Sequence, residues 1–192
     1  MCFDWLYRYK ARIEKDAPGS IVEIDTEKVD GEIRFRRFFF CCLAPCITGL
    51  LIALRPYLSI DATRLTGRWE GQLAGACALD GHNWMYPLAF GFFYRETIED
   101  WTWFLEQLEK AIGCPDNMTI SSDHCKGLEV AVKNVYPLAE HRECLRHLMD
   151  NLVKNFRGSA FGKMYVAVLA VLKRQILLPT FPLKSHKIIC RV

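Results

Sequence analysis

Acidic residues nearly run out after position 140. Residues 141–192 carry only Glu143 and Asp150, against ten Lys and Arg. The balance is reversed upstream, where residues 57–140 hold 12 acids and 6 bases, and it is near even in residues 1–56, at 8 and 9. An acidic centre followed by a basic end suits a phosphate backbone as partner, although a basic end is also a common solvated face. The sequence has no P-loop and no GxGxxG, so neither nucleotide hydrolysis nor a small-molecule dinucleotide cofactor is supported. Ser121 and Ser122 precede Asp123 without the GxSxG elbow of a serine hydrolase. The start, MCFDWLYRYK, lacks the basic, apolar and small-residue parts of a secretory signal. There is no internal repeat and no low-complexity tract. The one stretch that suggests a membrane span, residues 38–54, is only 17 residues long and is broken by Pro45 and Gly49. It reads better as a buried helix or two packed half-helices, and no membrane partner is expected.

What is present describes a globular chain. Its 192 residues are 51% hydrophobic, 12% aromatic and 24% charged, enough for one domain with extensions or two small ones. Nine cysteines, an odd count, read as mostly reduced and buried in an intracellular compartment. Residues 1–33 form a lead-in with short candidate strands such as SIVEI, and EIRFRRFFF continues it. The segment YLSIDATRL alternates, with Leu58, Ile60 and Ala62 on one face and Ser59, Asp61 and Thr63 on the other. QLAGACAL and NWMYPLAFGFF follow, joined by a hairpin at Asp80-Gly81; Pro87 predicts that the third of these strands lies at a sheet edge.

A helix is expected from Thr97, its cap, to Gly113, with Ile98, Trp101, Phe104, Leu105, Leu108 and Ile112 on its buried stripe and Trp103 off it. NMTISSD is then a strand, CKGLEVAVKNVYP a helix and LAE a brief fifth strand. Residues 141–157 form a long helix with Leu145, Leu148, Leu152, Val153 and Phe156 inward.

Three meandering strands, a helix and a fourth strand give the order of an α/β, ribonuclease H-like mixed sheet: three antiparallel strands, then parallel ones, flanked by helices. The fourth strand should pair parallel to the first. That pairing brings Asp61 and Asp123 together from 62 residues apart. Two carboxylates so close favour a hard divalent cation, such as Mg2+ or Mn2+, able to serve phosphodiester chemistry. Spacing alone leaves open that Asp61 is a solvated strand residue and that Asp123 caps the next helix.

The stretch LSIDATRLTGRWEGQLAGACALDGHNWMYPLAFGFF, with DWTWFLEQL, TISSDHCKGLEVAVKNVYP and AEHRECLRHLMDN, closely resembles the transposase domain of plant Mutator-like elements. The resemblance covers about residues 34–165, leaving residues 166–192 as a divergent tail. It implies a DDE-type transposase in which Asp61 and Asp123 are the first two catalytic, metal-binding aspartates. It also implies a nuclear setting and double-stranded DNA, both element ends and target, as partner; self-association is left open.

The family's third acid, a glutamate downstream of a helical insertion, has no match, since Glu140, Glu143 and Asp150 fall elsewhere. The expectation is therefore a truncated or decayed catalytic core, inactive for want of one carboxylate. The alternative is a domesticated DNA- or protein-binding module, with Arg142, Arg146, Lys154 and Arg157 as the DNA-contacting cluster on or near one helix. The motif Cys144-x-x-His147, with His141 before it, could present zinc ligands on one helix side together with His124 or Cys125. It could also be plain surface chemistry. The resemblance implies instead that Cys144 and His147 brace the floor of the active site.

Overall fold

The computed structural model describes residues 4–41, 55–67, 70–82, 84–115, 117–123 and 125–155, with only the backbone of Leu152 and Val153. A first helix, α1 (Asp4–Asp16), precedes a hairpin of β1 (Ile21–Val29) and β2 (Glu32–Cys41). Asp30 and Gly31 turn that hairpin at φ 53 and 83, the left-handed pair that a two-residue connection needs. Three further strands, β3 (Tyr57–Thr66), β4 (Glu70–Leu79) and β5 (Met85–Phe93), form the expected meander. Next come α2 (Ile98–Ile112), β6 (Thr119–Ser122), α3 (Lys126–Val135), β7 (Glu140–Glu143) and α4 (Leu145–Asn155).

All seven strands join one sheet in the order β1-β2-β5-β4-β3-β6-β7. Neighbours from β1 to β3 run antiparallel, and β3–β6 and β6–β7 run parallel. This is the mixed, ribonuclease H-like sheet that the sequence predicts, widened by the β1–β2 hairpin. No helix among the described residues is long and apolar enough to cross a membrane. The apolar run 38–54 does not begin as a helix, because Phe38–Cys41 complete β2, paired with both β1 and β5. Its remainder, 42–54, lies outside the described residues.

The core forms where α2 lies on the sheet. Thr97 caps the helix by accepting from Asp100 N, and the Gly113 N–H closes it onto Glu109 O at 2.7 Å. Trp101, Phe104, Leu105 and Leu108 are fully buried. Phe104 meets Phe39 edge-on at 5.4 Å, and Trp101 meets Phe93 at 5.1 Å, the favoured aromatic arrangement. Gly91 permits the approach, since a Cβ there would stand 2.5 Å from the Phe104 ring. Ile98, expected on the stripe, is instead about half exposed, and Asp100 and Trp101 take the inward positions of the first turn.

Arg37 explains why an acid turns inward. Its guanidinium is buried and bonds Asp25 at 2.7 and 2.8 Å, the Glu99 carbonyl at 3.2 Å and Asp100 at 3.3 Å. It also stacks on Trp103, 4.9 Å from the ring centre, which covers the tryptophan left off the stripe. Two of its nitrogens meet one oxygen of Asp25, Oδ2, and the buried guanidinium fastens the β1–β2 hairpin to the head of α2.

Two other expectations need correction. β5 is interior, between β2 and β4, although it contains Pro87. β2 pairs only with Ala89–Phe93, and the register against β4 shifts between Ala76 and Cys77, so the missing N–H falls at a bulge beyond the β2 ladder. The helix expected from residue 141 starts at Leu145, because residues 140–143 form β7 beside β6. On α4, Leu145 and Leu148 are about two-fifths exposed, and Met149 is the buried one among the described side chains; Phe156 lies outside the described residues.

Candidate metal centre

Asp61 stands in β3, opposite Gly75 of β4. Its neighbours Leu58 and Ile60 are buried, so by alternation Asp61 lies on the other face, half buried. On the other side β6 pairs Ser122 with Ile60, so Asp123 follows one strand over at the level of Asp61. The two acids act on each other. Burial is the main cause that lifts the Asp61 carboxyl above the usual aspartate range, and the Asp123 charge lifts it further. His147, the Ala62 N–H and Arg146 pull in the opposite direction. Asp61 Oδ1 accepts from Ala62 N at 2.9 Å, and Asp123 Oδ1 accepts from Cys125 N at 3.2 Å where α3 begins. Burial and the Asp61 charge also push the neighbouring Cys77 thiol up to about 11.

The entry to α4 adds a third side. Cys144 N donates to Ser122 O at 2.6 Å, tying this turn to the end of β6. One turn on, His147 Nε2 stands 3.7 Å from Asp61 Oδ2, while its Nδ1 is buried with no hydrogen-bond partner. His141 is elsewhere, on β7, where Nε2 lies 2.7 Å from Ser122 Oγ. The three residues expected on one helix side thus fall on a strand, His141, on the connection after it, Cys144, and on a helix, His147. Among the described residues no three His, Cys, Asp or Glu side chains stand close enough to hold a metal ion as they are. His124 lies outside the described residues.

One acid near the site carried no signal in the sequence. Glu96, in the turn between β5 and α2, reads as an ordinary acid ahead of a helix cap. The start of α3 rests on this turn, because a Cβ on Gly127 would lie 2.9 Å from Glu96 O and 3.3 Å from the Thr97 carbonyl carbon. Burial raises the Glu96 carboxyl, and the Asp123 and Asp61 charges raise it further, against the influence of Cys125.

Asp61 on β3 and Asp123, one residue past the end of β6, fit a hard divalent ion by the chemistry of their donor set, two carboxylates. Arg142 is on β7 and forks onto Glu140 at 2.8 and 2.9 Å, and Arg146 lies 3.8 Å from Asp150 on α4. Lys154 is exposed, and Arg157 lies outside the described residues.

Residues 57–151 match the family model of the MULE transposase domain. The chain is also 29% identical over 153 residues to Protein FAR1-related sequence 6 of Arabidopsis thaliana, covering 80% of this chain and 21% of that protein. It is 29% identical over 69 residues to a PKS-NRPS hybrid synthetase of Chaetomium globosum, covering 34% of this chain and 2% of that protein. The chain thus spans about a fifth of the first relative's length and far less of the second's. Among solved structures, a simian T-cell lymphotropic virus intasome in complex with PP2A regulatory subunit B56 gamma overlaps 67% of this chain and 44% of its own, at 13% identity. Its TM-score of 0.34 is too low to argue from. Residues 57–151 of this chain belong to the MULE transposase domain family.

Proposed function

We propose that this transposase-derived chain carries the metal-binding floor of a DDE strand-transfer site, with Asp61 and Asp123 as ligands of Mg2+ or Mn2+. The observation that supports this reading is the parallel register of β3 and β6, which ends with Ile60 beside Ser122, one residue before each acid. A divalent ion at such a site supplies activation of water or a 3′-hydroxyl and steadies the leaving oxygen of a phosphodiester. Cys144 and His147 brace the floor, the first through its N–H to Ser122 O and the second against Asp61. Double-stranded DNA is the partner and the nucleus the setting.

The family's downstream glutamate has no counterpart in these 192 residues. On this reading the chain binds metal and DNA without cutting. Supercoiled plasmid incubated with the chain and Mn2+ tests it. The expected outcome is Mn2+-dependent binding, lost in Asp61→Asn and Asp123→Asn, with no nicking above background. Nicking abolished by Asp61→Asn would refute the silence of the site, and binding indifferent to both substitutions would refute its metal role.

A second reading, a domesticated binding module independent of metal, draws on the exposed Arg142 and Arg146 side chains beside β7 and α4. It requires DNA binding that falls steeply with salt and ignores Mn2+.

A further inference from the structure

We propose that His141 positions Asp123 by way of the Ser122 hydroxyl, an inference that rests on the metal-binding reading above. His141 stands opposite Ile120 in the β6–β7 ladder, and its half-buried ring reaches along β6 to Ser122, where Nε2 lies 2.7 Å from Oγ. Ser122 Oγ in turn donates to Asp123 O at 3.0 Å.

The direction of each bond follows from counting protons. A serine hydroxyl has one hydrogen and a carbonyl oxygen can only accept, so the Ser122 proton goes to Asp123 O. The ring nitrogen therefore donates, which places a proton on His141 Nε2. The three groups form a one-way relay, from the ring through the hydroxyl to the carbonyl. This excludes the other use of a serine beside a histidine. A nucleophilic serine gives its proton to the ring and must reach a substrate, whereas Ser122 is fully buried and its proton is committed to the backbone.

The relay acts on the peptide that follows Asp123. The peptide before it is held as well, since Cys144 N donates to Ser122 O at 2.6 Å. With the planar group on each side of its Cα fixed, Asp123 has little freedom to swing its side chain off line. Its Oδ1 is steadied in addition by Cys125 N at 3.2 Å. Asp123 needs this support because both ladders of β6, to β3 and to β7, end at Ser122, one residue short of it. A hard divalent ion takes carboxylate oxygens only within a narrow range of distance, so the groups that orient a ligand bear on how tightly the ion is held.

Mn2+ binding to the full chain, measured by water-proton relaxation, reads the effect. His141→Leu removes the donor and Ser122→Ala the middle of the relay. Each is expected to weaken Mn2+ at least about tenfold, the smaller loss seen for groups that orient a metal ligand. The double variant should lose no more than either single one, because the same relay is broken in all three. His141→Gln, whose amide N–H can take the place of Nε2–H, should bind Mn2+ as the wild type does. Wild-type affinity in His141→Leu together with loss in Asp123→Asn would overturn the role of His141 and leave the site standing. Equal loss in His141→Leu and His141→Gln would do the same, since it marks a ring needed only for packing. Failure of the wild-type chain to bind Mn2+ would overturn both. If His141→Leu does not fold, 15N NMR of the histidine rings in the wild-type chain decides: the relay requires a proton on His141 Nε2, and a bare Nε2 refutes it.

Discussion

His147 Nε2 reaches to within 3.7 Å of Asp61 Oδ2, joining α4 to the middle of β3. Among the groups that hold the Asp61 carboxyl down, His147 has the largest influence. His147→Ala should therefore raise the Asp61 titration midpoint further, as read by 13C NMR of the labelled carboxyl. An unchanged midpoint would show that the pair does not form in solution.

Asp61 and Glu96 both carry raised carboxyls, above ordinary values of 3.8 and 4.5. Where the folded state holds a proton more tightly than the unfolded chain, stability is greatest below the unfolded pKa and declines as pH rises through the folded one. The metal-free protein should lose stability on these two accounts as pH rises above the ordinary carboxylate range, and Asp61→Asn should melt higher than wild type at neutral pH. Mn2+ reverses the order: at a hundredfold excess over Kd it adds about 2.7 kcal/mol to the wild type alone. Thermal melts with and without Mn2+ check both signs.

His141 behaves oppositely. Burial lowers its proton affinity below the ordinary 6.5, as does Lys133, while Glu129 and Glu143 raise it. The unfolded chain then binds the extra proton first, so this contribution is present above 6.5 and lost as pH falls through the lower folded value. Ser122→Ala removes the hydroxyl at 2.7 Å from the ring and should cost about 1 kcal/mol at pH 8. Because the Ser122 hydroxyl also donates to Asp123 O, it accepts from His141, and denaturant midpoints of the two proteins would show the loss.

Gly91→Ala should destabilise by about 1–3 kcal/mol, the usual range for overpacking a tight core. The added methyl would press on the Phe104 ring at 2.5 and 2.8 Å. Phe104→Leu in the same chain should recover part of that loss, which urea titration of the single and double variants would show.

The sequence made much of this legible wherever local chemistry decides. Alternation around Asp61 placed the core face of β3, and Thr97 and Gly113 marked both ends of α2. What it hid depended on distant partners. Pro87 signalled an edge, but a one-residue bulge moved it off the β2 ladder and left β5 inside. The four residues of β7 are too few to show a period, so His141 was read into the next helix. Glu96 gains its setting from residues 35 positions before it and 27 after it, which no window on the chain reveals.

The family match begins at residue 57, yet the sheet does not. β2 covers five backbone positions of β5, and Arg37 brings its guanidinium to Asp100 at the head of α2. A piece trimmed to the matched span would expose a raw apolar rim from Ala89 to Phe93, open to pairing with other chains. It would also leave Asp100, buried in the first turn of α2, without the Arg37 counter-charge. Such a piece would clump, and its silence in any assay would say nothing about Asp61 or Asp123.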